Sequence, residues 1–110
     1  MIIPLPEKLS LNKFFGRMHW SARKRIVDEW DMVMMPFKRK LTPEKTPTGV
    51  TYDFFVKGKL LDVSNCFGMV KLLEDSMVRN GILEDDSPKY VREITVSVQA
   101  GKNEVDITFY

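Results

Sequence analysis

At 110 residues, 44% hydrophobic and 29% charged, the sequence has the length of one small domain and the composition of an ordinary globular protein, which excludes a disordered tract and a fibrous repeat. Its single cysteine, Cys66, excludes an intrachain disulfide, and its single histidine, His19, argues against a histidine-based zinc site or a Ser-His-Asp triad. The net charge of +2 is too small to announce a nucleic-acid partner, but it is unevenly spread: residues 1–45 carry ten Lys/Arg against five Asp/Glu, and residues 46–110 carry seven against ten.

The opening Met1-Ile-Ile-Pro-Leu-Pro lacks the basic flank and apolar run of a signal peptide. No apolar stretch approaches the roughly 20 residues that span a bilayer. The expectation is a single domain over 1–110, cytoplasmic and without membrane contact. A chain this short buries only about two-thirds of its unfolded surface, so a partner subunit would help it.

A short first strand is expected near Ile2, followed by an irregular segment from Lys8 to His19 that contains Asn12, Lys13 and Arg17. Ser21 is a reasonable N-cap, and Ile26, Val27, Trp30, Val33 and Met34 recur at helical spacing. These residues predict an amphipathic helix from Ala22 to Met35, ended or kinked by Pro36 and presenting Arg23, Lys24, Asp28 and Asp31 outward. Residues 41–49, with two prolines and a glycine, read as an exposed loop.

Val50–Val56 is rich in β-branched and aromatic residues and reads as a strand with Gly58 past its end. A second helix is expected over Asn65–Arg79, with Val70, Leu73 and Met77 on its inner face, Ser64 or Asn65 as cap, and Asn80-Gly81 as terminator. Tyr90–Val98 alternates as a strand, Arg92, Ile94, Val96 and Val98 on one side and Val91, Glu93, Thr95 and Ser97 on the other. Gly101-Lys-Asn103 reads as a turn into a last strand, Val105–Tyr110, which would make the C-terminus a hairpin. The predicted fold is an α/β (α+β) sandwich, two helices against a mixed sheet, in the order β-α-β-α-β-β.

Candidate chemistry is concentrated between Lys57 and Tyr90. Asp62 lies just past a strand, Lys71 and Asp75 are four apart on one helix face, and Asp85-Asp86 follow in the next turn. Carboxylates brought together repel one another, and a divalent cation with hard oxygen ligands relieves them. Such an ion activates water and steadies a phosphate undergoing attack. Taken singly, each piece has an ordinary explanation: a turn or capping acid at Asp62, a surface ion pair at Lys71–Asp75, a turn at Asp85-Asp86-Ser-Pro. Met32, Met34 and Met35 read as core or subunit-interface filler, Cys66 as buried packing, and His19 as a surface or DNA-side residue. Phe14, Phe15 and Trp20 lie among Lys13, Arg17 and Arg23, which suits either base stacking or, more simply, the core.

The combination Asp62-x-x-Asn65, a helix bearing Lys71-x-x-x-Asp75, then Gly81-hydrophobic-x-x-Asp85-Asp86 resembles the signature of RusA-type Holliday junction resolvases of phages and prophages. Leu5-Pro-Glu-Lys-Leu-Ser-Leu-Asn12 is similar to that family's opening segment. The resemblance implies a homodimer in the bacterial cytoplasm that binds four-way junctions and makes paired, Mg²⁺-dependent nicks in recombination and repair, with Mn²⁺ as an alternative ion. It also implies catalytic roles for Asp62, Asp86 and Lys71, and metal ligation by Asp62 and Asp86 with Asp85, Asp75 and Asn65 as further oxygen donors. Two departures stand out. Ser64 occupies the position of the family's middle aspartate, and three extra residues separate Asn65 from Lys71. DNA contacts are expected from Asn12, Lys13, Arg17, Arg23 and Lys24. Two other readings remain open: a catalytically degenerate module that binds branched DNA, and a homodimeric phage accessory protein whose acids only organise a loop.

Overall fold

The computed structural model describes residues 1–85 and 91–110, with every side chain in them except that of Arg17. The chain runs β1 (Ile2–Pro4), α1 (Trp20–Met34), α2 (Lys38–Leu41), β2 (Gly49–Val56), α3 (Phe67–Arg79), β3 (Glu93–Ala100) and β4 (Glu104–Phe109). This is the expected α+β order, a mixed four-stranded sheet with two long helices, to which α2 adds a single turn. No helix among the described residues is long and apolar enough to cross a membrane.

Sheet order is β1-β4-β2-β3, with β2 parallel to β3 and antiparallel to β4. One sheet face carries Val50, Tyr52, Phe54 and Val56, with Ile94, Val96 and Val98 beside them on β3 and Val105 and Ile107 on β4. Tyr52, Phe54 and Val56 are fully buried, and they share one hydrophobic core with Ile26, Trp30 and Met34 of α1 and Met69, Leu73 and Met77 of α3. Both helices therefore cover this face. The intervening residues Thr51, Asp53 and Thr108 point away from it.

The expected C-terminal hairpin does not form, because β2 lies between β3 and β4. The crossover through α3 delivers β3 to the far side of β2, so the most apolar strand takes the centre and β3 becomes an edge with Ile94 exposed. Gly101–Asn103 must then pass over the end of β2, about 10 Å across two strand spacings, which four extended steps can reach. Gly101 N–H donates to Val56 O at 3.0 Å, and a Cβ at Gly101 would stand 2.5 Å from the Phe55 Cβ. Asn103 turns the chain at φ 61°. Its side-chain Oδ1 accepts from the Lys57 N–H at 2.7 Å and its carbonyl from Leu5 N–H at 2.8 Å.

Several local expectations are corrected. Helix α1 begins at Trp20 and its cap is His19, whose Nδ1 accepts from the Ser21 N–H at 3.2 Å. The segment read as irregular contains a π-helical turn, Lys13–Arg17. Ser10 starts it, its carbonyl accepting from Phe14 N–H and its hydroxyl from Lys13 N–H. Pro36 does end α1, and a 3₁₀ turn over Met35–Phe37 carries the chain on into α2. Of the methionines read as core or interface filler, Met34 is core and Met32 and Met35 are exposed. Phe14 is core as expected, whereas Phe15 and Trp20 stand in solvent.

Candidate functional site

Strand β2 ends at Val56, and Gly58 at φ +77° turns the chain back through Lys59 towards Asp62. This turn is clamped from the N-terminal segment. The Lys8 ammonium donates to the carbonyls of Lys57 at 3.0 Å and Lys59 at 2.7 Å, which satisfies two acceptors that would otherwise face solvent. Asp62 then adopts extended backbone and opens a 3₁₀ turn, Val63–Cys66, that continues into α3. The expected helix start at Asn65 is thus a 3₁₀ lead-in, with Asn65 N–H donating to Asp62 O at 2.9 Å.

Asp62 and Asn65 face the same open cleft, of about 310 Å³, together with Lys8, Lys59, Leu60 and Leu61. Asp62 is exposed and Asn65 half-buried, so both oxygens meet solvent. Behind them Cys66 is buried. Burial first, and then the Asp62 charge, push its thiol above the ordinary range, which suits a packing residue.

The start of α3 also holds the basic N-terminal segment. A Cβ at Gly68 would stand 2.9 Å from the Leu11 Cα and 3.1 Å from the Leu11 N, so glycine allows the backbone of residues 10–11 to lie directly on the first turn of α3. That contact sets Ser10–Asn12 beside the turn bearing Asp62, joining two stretches of the chain that the sequence singled out separately.

Farther along α3, Lys71 and Asp75 form the expected i,i+4 ion pair at 3.2 Å on the exposed side. Asp75 lies eight residues beyond Phe67, about 12 Å along the helix axis, so it does not share the lead-in turn with Asp62 and Asn65. Helix α3 ends in a Schellman motif: Ile82 N–H donates to Met77 O and Gly81 N–H to Val78 O, with Gly81 at φ +74° and Met77 and Ile82 both buried. Leu83 is the last core residue before the acids, and Asp85 is exposed. Asp86 lies outside the described residues. Among those described, no three His, Cys, Asp and Glu side chains stand close enough to share one ion.

Of the expected DNA contacts, Asn12 and Lys13 are exposed and line an open cleft of about 660 Å³ with Gly16 and Met18. Arg23 is half-buried and donates from Nη2 to the Phe15 carbonyl at 3.3 Å. Lys24 shares its charge with Asp28 at 3.0 Å. The side chain of Arg17 lies outside the description. Sequence reasoning missed Lys8, Lys59 and Gly68. Their signals were a lysine inside the Ser-x-Asn opening segment, a Gly-Lys pair immediately before Asp62, and a glycine inside an otherwise strong helix.

No protein-family model matches the chain, and no curated protein matches it.

Proposed function

We propose that the chain is a metal-dependent endodeoxyribonuclease that resolves Holliday junctions or other branched DNA, acting as a homodimer. The observation that carries this reading is the joining of the basic N-terminal segment to the Asp62 turn, through Lys8 on the Lys57 and Lys59 carbonyls and through Leu11 on Gly68. A phosphate chain bound along residues 8–24 would run directly to an exposed carboxylate.

Mg²⁺ suits the donors at this turn. A carboxylate and an amide oxygen are hard ligands, and Mg²⁺ ordinarily takes one or two carboxylates, substrate phosphate and several waters. Asp62 and Asn65 would hold it, with substrate phosphate and water completing its shell and Ser64 standing where the resemblance expects a further acid. Asp85 follows the far end of α3, where Glu84 lies beside Thr42–Thr46, and does not share this turn. Bound there, the ion would supply an activated water and charge neutralisation at the phosphate. Lys59 at the cleft would orient the scissile phosphate by charge. Lys8 would act by holding the turn in place. Asp75 would keep the Lys71 ammonium directed along the exposed side of α3, ready to meet a phosphate or a departing oxygen.

The test is nicking of a four-way junction by the parent protein in Mg²⁺, with EDTA as control. Paired nicks that need the ion support the enzyme. Salt-sensitive junction binding without nicking would favour a degenerate binding module, and neither binding nor nicking an accessory protein.

A further inference from the structure

We propose that Phe15, His19 and Trp20 form a stacking surface for unpaired nucleobases of single-stranded DNA, with the strand continuing through the neighbouring cleft of Asn12, Lys13 and Gly16. This rests on the reading of the chain as a DNA-binding protein, but not on its nuclease chemistry.

Trp20 is 70% exposed and Phe15 47% exposed, although both belong to segments that bury apolar neighbours. Each has an aromatic neighbour. Phe14 is 5% exposed, and its ring meets that of Phe15 edge-to-face at 4.9 Å and 89°. The imidazole of His19 is fixed by the Ser21 N–H and lies within 2.8 Å of the Ser21 hydroxyl. That ring sits 5.6 Å from the Trp20 indole at 36°. Arg23 reaches from α1 to the Phe15 carbonyl and so ties the turn bearing Phe15 to the helix that begins at Trp20. Aromatic side chains, with two rotatable angles each, lose little freedom on binding.

Charge selects the occupant. Between Glu7 and Asp28 the chain carries Lys8, Lys13, Arg17, Arg23, Lys24 and Arg25 and no acid. Lys24 and Arg25 are offset by Asp28 and Glu29, but Lys13 and Arg23 keep the exposed rings in cationic company, which is the chemistry of single-strand binding, where bases stack and phosphates are neutralised. A second copy of the chain would set Lys13 and Arg23 against their own like charges. A lipid surface would want the apolar side of α1, but Ile26, Trp30 and Met34 are turned into the core.

The experiment titrates the full chain with oligothymidylate and with an abasic sugar–phosphate chain of equal length. Tryptophan fluorescence is the readout, since Trp20 is exposed while Trp30 is 2% exposed. Oligothymidylate should quench Trp20 and bind the parent more tightly than the abasic chain. Trp20→Ala, read by anisotropy of a labelled strand, should weaken oligothymidylate binding roughly tenfold while leaving abasic binding unchanged. Gly16→Leu should weaken it as well by filling the cleft, and a Cβ at Gly16 meets nothing within 4 Å, so the fold should be undisturbed. Equal affinity for the two chains, or parental affinity in either variant, would overturn the proposal. So would Trp20 quenching by anionic vesicles but not by oligothymidylate, or a dimer that Trp20→Ala dissociates without any base-dependent binding. A parent that stacks bases and nicks nothing would refute the nuclease reading alone.

Discussion

Arg79 grips Asp31 through two parallel hydrogen bonds, Nε to Oδ2 and Nη2 to Oδ1, each 2.8 Å long, and so fastens the end of α3 to the end of α1. Partial burial pulls the Asp31 carboxyl upward, but hydrogen bonds from Arg79 and Ser76 and the Arg79 charge outweigh it and hold the group below its ordinary value of 3.8. A carboxyl lowered by folding stabilises the native state above its unfolded pKa, and that contribution is lost as pH falls through the folded value. Asp31→Asn should therefore cost about 1 kcal/mol at pH 7, a modest figure because both side chains are partly exposed. Urea denaturation should show the gap between parent and variant closing as the pH falls below about 4. A gap of constant size down to pH 2 would contradict the assignment.

The crossing of β2 by Gly101–Asn103 makes a separate prediction. Gly101→Ala forces its Cβ onto Phe55 and should cost about 1–3 kcal/mol, or a fall in Tm of roughly 4–20 °C for a domain of this size. Gly16→Ala is the control, since it meets open space and should melt no lower than the parent. Thermal melts that place the two variants together would contradict the observed sheet order.

This crossing also marks where the sequence stops being legible. The α+β class, both long helices and the Asn80-Gly81 terminator could be read because apolar spacing and a positive-φ glycine act locally. Nothing local distinguishes a three-residue hairpin from a three-residue crossing, since the difference lies in whether β2 is inserted between the strands. Phe15 was misplaced for a related reason: an aromatic residue beside a core aromatic reads as core unless the phase of the π-helical turn is known. At the site, the Lys71–Asp75 pair followed directly from helical spacing. The approach of Leu11 to Gly68 did not, because it joins residues 57 apart in sequence and depends on an absent side chain.

The basic segment predicts a salt dependence. Replacing Lys13, Arg17, Arg23 and Lys24 together should weaken junction binding and lower the log–log salt slope by about 0.9 per lost phosphate contact. Arg23 fastens Phe15 and Lys24 is paired with Asp28, so Lys13 alone should account for more of the change than Lys24 alone. Unchanged affinity and slope in the quadruple variant would put the DNA elsewhere.

Two coordinated nicks need two active sites, and a 110-residue core gains from a partner. Light scattering should report a dimer at micromolar concentration. A monomer would contradict resolution by paired cuts, leaving only single nicking.

The central proposal is that Asp62 holds a metal ion at the turn leading into α3 and that Asp86 is also needed for nicking. The direct measurement compares nicking and junction binding by the parent, Asp62→Asn and Asp86→Asn in Mg²⁺. Both variants should lose nicking while binding the junction as tightly as the parent or slightly more so, because a carboxylate that repels phosphate has been removed. In EDTA they should melt no lower than the parent, and Mg²⁺ should raise the parent's Tm more than that of Asp62→Asn. Ser64→Asp should tighten metal binding. Parental cutting rates in both Asp62→Asn and Asp86→Asn would contradict the account.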